Sequence, residues 1–464
     1  MDNNLKNNAL EQYRNLLGEY AEKIAANTAP AIAGKREDAA NVLIADKSVS
    51  FPKKGSDGFE YTDLNEMFAP DLGVNIARVL VTTDAETVFR CSLPAVSALL
   101  GITVNDTFQP TERMKNLMPE GVTVTTFAEA SDAEQAVIRR YYGTMATAVP
   151  ERPATLLNTA LAQDGILVYV KEGVNAEKPI QLVNILETLE TPDGTKLPVL
   201  AVRRILIVIE KNASAQVLIC DHDRSNDKVS ASNRVTEVCL GENSKLDLYE
   251  LEENTGMTSR YTRTVVRQGT ASHLAVFSAT LKPGHTRNDF EIHLDGEGAS
   301  ATLNGMEIAD GSQVADNSAT VHHHVPHCFS NQKFKYLVSD EARGAFEGLI
   351  RVDHGAKGTD AYQNDHNILG GPHARMHARP QLEIYCDDVK CSHGAATGQL
   401  DEQALFYMRS RGIDLPEARS MLMNAFMADV IDGVALTPLC ERLKFLVERR
   451  LSGDDARCQG CPGK

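Results

Sequence analysis

The sequence predicts a mainly β chain, with a long strand-rich middle held between two helical ends. Three observations predict it. Short apolar runs broken by Gly, Asn and Asp fill the middle, among them Gly165-Ile-Leu-Val-Tyr-Val170, Arg204-Ile-Leu-Ile-Val-Ile209 and Leu246-Asp-Leu-Tyr-Glu-Leu251. Four segments there set small residues ahead of an alternating strand. They begin at Asn212, Asn243, Ala271 and Gly298, so they recur after 31, 28 and 27 residues, within the range of stacked repeats. Helical spacing of apolar residues returns on either side. A parallel β-helix would stack such units and bury the inner face of each coil on its neighbours. A β-sandwich gives the same local pattern, and period alone does not separate the two.

The elements follow in order. Residues 1–154 read as mostly helical. Leu10, Tyr13, Leu16, Leu17 and Tyr20 share one face of an amphipathic helix from Asn8 to Ala26. Ala128 to Tyr142 reads as a second helix, with Ser131 as N-cap. The strand-rich part covers 155–398. Helical punctuation resumes over 399–464. Asp401 caps a helix that stops at Gly412, and Asp414 stands two residues ahead of Pro416, which suits a first helical turn. In that middle helix Ala418, Met421, Leu422, Ala425, Phe426 and Val430 form an apolar stripe that must bury against something. Thr437-Pro438 opens a last helix ending near Gly453.

Composition narrows the function. With 464 residues the length prior is about three domains, which a solenoid can merge. Hydrophobic residues at 42% and charged residues at 24% allow a sizeable core. The net charge of −16 argues against a broad nucleic-acid surface, which needs a basic footprint. There is no run of 18 apolar residues, and MDNNLKNNALEQ lacks a signal pattern, so a cytoplasmic protein without a membrane partner is expected. The nine cysteines make no disulfide framework in such a chain. Cys220 and Cys239 read as small buried hydrophobes.

Three clusters have the chemistry to bind a metal. Cys391 and His393 lie two apart on a strand, so both point to one face while Ser392 points away. Thiolate and imidazole are iron or zinc ligands, but a metal site usually needs three or four donors. Spacing alone suits a buried thiol beside a hydrogen-bonded histidine. The densest donor run is His322-His323-His324-Val325-Pro326-His327-Cys328, in which His322, His324 and His327 form a candidate metal set. The downstream Glu and Gly of a cupin-type site are missing, so these histidines read mainly as stacked, hydrogen-bonded strand residues. Cys458-Gln-Gly-Cys461 has a spacing that suits zinc, a cluster or a redox pair, with no second pair nearby. Gly34-Lys35-Arg36 is no Walker A loop, and no dinucleotide turn occurs. Any ATP-linked step must come from a partner. No motif supports flavin or haem.

The stretch Pro380 to Gly412 combines Pro380, Leu382-Glu383-Ile384, Asp388-Val389, Cys391-Ser392-His393-Gly394-Ala395, Phe406-Tyr407 and Ser410-Arg411-Gly412. It closely resembles the core signature of the SufB/SufD family, the scaffold proteins of the SUF iron–sulfur cluster assembly machinery. The His-rich strand followed by Pro326 and Ser330 fits the same family, although Gln332-Lys333-Phe334 only approximates its usual Lys-Gly. The segment Phe59-Glu60-Tyr61-Thr62-Asp63-Leu64 also resembles the family, departing where an aromatic-basic pair usually leads it. The resemblance implies a right-handed parallel β-helix core between two helical domains. SufB-type proteins carry a cysteine shortly before the segment matching Ile368-Leu369-Gly370; here that site falls at or near Asn364, and 359–366 contains no cysteine. Val389-Lys-Cys-Ser-His-Gly-Ala395 is likewise SufD-like.

The resemblance therefore implies a non-catalytic scaffold of the SufD branch. It would pair with SufB through the β-helix and dock the SufC ATPase on the helices over 401–433. Phe406, Tyr407, Met421, Met423 and Phe426 are the contact candidates, some of them shared with the intrachain core. His393, with Cys391 second, would lie at the nascent cluster site. No cofactor held stably by the isolated chain is expected, only a transient iron–sulfur cluster in the complex. Whether the β-helix pairs with SufB or with a second copy of this chain stays open. Two other readings stand beside it: a metalloprotein or metalloenzyme using His322 to His327, and a divergent SufB-type scaffold.

Overall fold

The computed structural model describes residues 8–79, 99–190, 193–224, 229–254 and 256–453. The Cys458/Cys461 pair lies outside the described residues. Strands of about ten residues alternate between two sheets, one of ten strands and one of nine, and wind into a parallel β-solenoid of about seven turns. The repeat read from the sequence is the coil of this solenoid. In the larger sheet successive strands from Ser214–Asp223 to Val389–Gly398 start 31, 28, 27, 29, 30 and 30 residues apart. Their ladders are parallel, with one bulge near Glu252.

The small residues that open each repeat make the tight turn between sheets. Asn212, Asn243, Ala271, Gly298 and His327 all have φ between 53° and 74°, a region where Asn and Gly are favoured. Beside them the coils approach closely. A Cβ on Gly296 would lie 1.9 Å from the Thr270 nitrogen, so no side chain fits there.

Near this edge the space between the sheets is apolar. Val217, Leu246, Leu248, Val276 and Leu303 meet Ile207, Val238, Val266, Ile292 and Val321. The opposite edge is polar and equally buried. Arg234 pairs with Glu250 at 2.6 Å, and Arg260 bridges Asp221 at 2.9 Å and Glu252 at 3.0 Å. Further along, Asn288 accepts from Arg260 at 2.6 Å and hands the network on to Asn317, Glu307 and Tyr336. Buried charges persist only where partners and hydrogen bonds satisfy them.

The helical ends cover opposite outer faces. The helix Pro153–Leu161 is wholly buried, and Asn158 donates to the Asn233 carbonyl at 2.8 Å on the nine-stranded sheet. Glu237 of that sheet pairs with Arg204 and accepts the backbone N–H groups of Gly143, Met145 and Ala146 at 2.9, 3.1 and 3.1 Å. Thr62 donates to Asp316 at 2.6 Å, and Phe59 lies under Arg287, so the 59–64 segment clamps the same face. On the ten-stranded sheet, Met427, Val430, Ile431, Leu439 and Leu443 pack against Leu218, Tyr249, Phe277 and Met306.

Most local signals are realised. Ser131 forms a capping box with Glu134 ahead of Asp132–Tyr141; Asp401 and Asp414 cap Glu402–Ser410 and Leu415–Ile431. Thr437–Leu451 follows. Three details differ. The first helix breaks at Tyr20 into Leu10–Glu19 and Ala21–Ala26, because Tyr20 leaves helical geometry at φ −110°, ψ 20°. Strands Leu99–Val104 and Val122–Thr126 occur within the part read as mostly helical; they extend the two sheets and close the first coil with buried Leu99, Ile102 and Val122. Leu415–Ile431 is apolar on several sides rather than in one stripe. Its buried residues are Ala418, Met427, Val430 and Ile431, and Met421 is 48% exposed.

Candidate functional site at the open end of the solenoid

Among the described residues, no further coil stacks on the last one. Arg375–Ile384 and Val389–Gly398 are the terminal strands of the two sheets, each paired on one side only. Such free edges are templates for another strand. Val389–Gly398 sets Cys391 opposite Ala361 and His393 opposite Gln363. Ala361 and Gln363 are buried and face the interior, so Cys391 and His393 lie on the inward side of a coil that no other described coil covers. The shared face expected for this pair is present. Beneath His393, Gln363 donates to Gln332 at 2.9 Å, a buried amide ladder leading into the solenoid.

The two residues differ in environment. His393 is exposed. Cys391 is half-buried and packs with Cys386 against Ile350, Val352, Ala356 and Ala361. Burial, aided by the Asp360 carboxylate, pushes the Cys391 thiol above its usual range. It is therefore a thiol at neutral pH and no activated nucleophile. Cys386 was not singled out by sequence, since it lies in a loop with no spacing signal. Asn364, at the position of the missing SufB-type cysteine, is exposed on the neighbouring strand opposite Gly394. Ile384 and Tyr385, 41% and 46% exposed, add apolar surface at this end.

The histidine run divides. His323 points inward, is fully buried and bonds Ser330 at 2.8 Å. His322 and His324 share an outer face as expected. His327 does not join them: it occupies the left-handed turn, with its side chain 66% exposed and its Nε2 4.0 Å from Glu297. The third member is His293, on the adjacent strand in register with His322. His293 precedes His322 by 29 residues, one coil length, so stacking the repeats would have found it. Burial and the neighbouring His293 hold the pKa of His322 down at about 4.

At the C-terminal helices, Phe406 and Tyr407 are 74% and 59% exposed. Met423 and Phe426 instead pack against the solenoid core, where Lys335 stands 4.4 Å over the Phe426 ring. Met421 lines a groove of about 400 Å³ with Ala425, Ala428, Lys444 and Val447. No described helix is long and apolar enough to cross a membrane.

Comparison with known proteins agrees with this architecture. Residues 192–426 match the family described as "SUF system FeS cluster assembly, SufBD core domain", and residues 7–182 match "SufBD protein N-terminal region". An iron–sulfur cluster assembly SufBD family protein of Synechocystis sp. is 28% identical over 90% of this chain and 91% of its own length. The iron–sulfur cluster assembly protein SufD of Escherichia coli is 29% identical over 64% of this chain and 69% of its own. SufD of Bacillus subtilis is 25% identical over 73% and 76%. With both family regions matched in order along a two-sheet solenoid, and with relatives that bear the SufD name, the chain belongs to the SufB/SufD family of iron–sulfur cluster assembly proteins, in its SufD branch.

Proposed function

We propose that this chain is a non-catalytic scaffold subunit that pairs with SufB through the open end of its solenoid and docks the SufC ATPase on its C-terminal helices. The observation that carries the reading is the uncovered last coil, two free strand edges around His393. Edge strands left bare are a liability unless a partner covers them. A SufB solenoid would continue both sheets and bring its own donors against His393, with Cys391 as the secondary candidate beside it. A transient iron–sulfur cluster would form there as cargo of the assembly. Phe406, Tyr407 and Met421 present apolar surface to SufC, whereas Met423 and Phe426 hold the helix on the solenoid. Nucleotide-driven movement of SufC would then act on the SufB contact as coupling between binding equilibria.

Co-expression with SufB and SufC, followed by light scattering on the purified assembly, tests the reading. A complex of all three chains is expected. Deleting 401–433 would uncover Leu218, Tyr249 and Phe277, so the sharper variant is Phe406→Asp with Tyr407→Asp. It should lose SufC and keep SufB. A chain that ignores both partners would overturn the proposal.

A further inference from the structure

Three histidines converge on the outer face of the nine-stranded sheet, away from the open end. His293 and His322 are register partners on His285–Leu294 and Val314–His323, and His324 follows in the next turn. Their ligand atoms lie within 4.8 Å of one another. The rings are parallel to within 7°, with centroids 4.6, 5.3 and 5.6 Å apart.

Two of the rings are oriented by carboxylates. His293 Nε2 stands 3.0 Å from Glu291 Oε1, and His324 Nδ1 stands 2.7 Å from Asp353 Oδ2. An ionised carboxylate only accepts, so both nitrogens carry the proton. The remaining nitrogens, His293 Nδ1 and His324 Nε2, then face each other at 3.0 Å. Two neutral imidazoles held this way oppose lone pair to lone pair. That repulsion is relieved by a proton shared between the two nitrogens or by a metal ion bound beside the pair, off the line that joins them. With Zn–N bonds of about 2.0–2.1 Å, two nitrogens of a tetrahedral site are about 3.3 Å apart, close to the separation found. Carboxylate-to-imidazole-to-metal relays of this kind fix the tautomer and raise ligand basicity.

We infer that His293, His322 and His324 form a three-imidazole site for a divalent transition-metal ion such as zinc, with the fourth position left to water. Parallel rings cannot aim all their in-plane lone pairs at one point, so His322 turns out of the stack on binding. The nearby carboxylates are shared with arginines. Glu291 pairs with Arg263 and lies 3.8 Å from Arg152, Asp295 is 3.1 Å from Arg267, and Asp353 is 3.1 Å from Arg351. The site is thus close to charge-balanced, and its affinity comes from the imidazoles. Borderline ions that favour nitrogen are selected over calcium or magnesium.

The test titrates cobalt(II), then zinc, into the full-length, metal-stripped chain and reads the visible spectrum. Expected are about one equivalent of four-coordinate cobalt without thiolate charge-transfer bands, displacement by zinc, and no change in Cys458→Ser/Cys461→Ser. His293→Gln and His322→Gln should each weaken binding by about tenfold or more. Thermal melts check that these variants fold. Asp353→Asn, altered only at a half-exposed turn, should weaken binding while leaving the sheet intact. No tetrahedral cobalt spectrum in the unaltered chain, or equal affinity in all three histidine and aspartate variants, would overturn the site and leave a proton-sharing stack.

Discussion

Glu307 is fully buried between the sheets, with Asn317 donating to it at 2.8 Å and the Arg260 charge too weakly felt to offset its burial. Burial pushes its pKa up to about 8, and that of Asp365 up to about 7. The folded chain therefore holds protons that the unfolded chain releases above the ordinary carboxyl range. Below that range both states are protonated and the groups cost nothing extra. As pH rises towards about 8 only the unfolded state ionises, so stability falls across this window. Glu307→Gln keeps the shape and removes the titration. It should raise the unfolding free energy at pH 8 by at least about 1 kcal/mol, given about 1.4 kcal/mol per pKa unit, seen as a higher midpoint, and give little gain at pH 4. Equal effects at both pH values in thermal melts would contradict this. None of it was legible in the sequence, where Glu307 is one acid in an ordinary strand. Its neutrality depends on which residues the coils place opposite it. His293 is the opposite case: it was legible in principle, one coil length from His322, once the repeat was stacked.

Among the elements, the N-terminal helical layer meets the solenoid at one heavily used carboxylate, besides the contacts of Asn158 and Thr62. Glu237 caps the chain at Gly143, Met145 and Ala146 and pairs with the buried Arg204. Glu237→Ala leaves that guanidinium uncompensated and three backbone donors unmet. It should destabilise by about 3–5 kcal/mol, read as a lower midpoint in denaturant. A loss under 1 kcal/mol would mean that water reaches the cleft. Helix boundaries, by contrast, were legible, because caps are local. Ser131, Asp401 and Asp414 each accept from the first turn of their helix. Which face of Leu415–Ile431 is covered was not legible. With apolar residues on several sides, the covered face is the one that meets the apolar outer face of the sheet through Met427, Val430 and Ile431, with Asp429 2.6 Å from both Lys333 and Lys335 beside it and Met421 left outward.

For the whole molecule, the solenoid is closed at its N-terminal end by Leu99–Pro110 and Val122–Thr126 and, among the described residues, left uncovered at its last coil. That asymmetry gives the proposed pairing a direction. Ile384→Asp places a charge on the exposed rim and should weaken SufB capture by about tenfold or more, the scale of a lost interface anchor, while sparing SufC. His393→Ala should keep the complex and lower cluster formation on it. If His393→Ala complexes build cluster at the unaltered rate, the site lies elsewhere.

By itself the sequence determined the coil length, the turn residues, the helix caps and the Cys391/His393 face. These follow from left-handed turns, side-chain capping and the two-residue alternation of strands, all of which act over a few residues. Local pattern left solenoid and sandwich open and the family resemblance chose the solenoid; only the tertiary structure put His293 in the place of His327, paired the interior arginines with carboxylates of the facing sheet, and left the last described coil open. Those outcomes depend on stacking residues about 30 positions apart, where no local preference reaches.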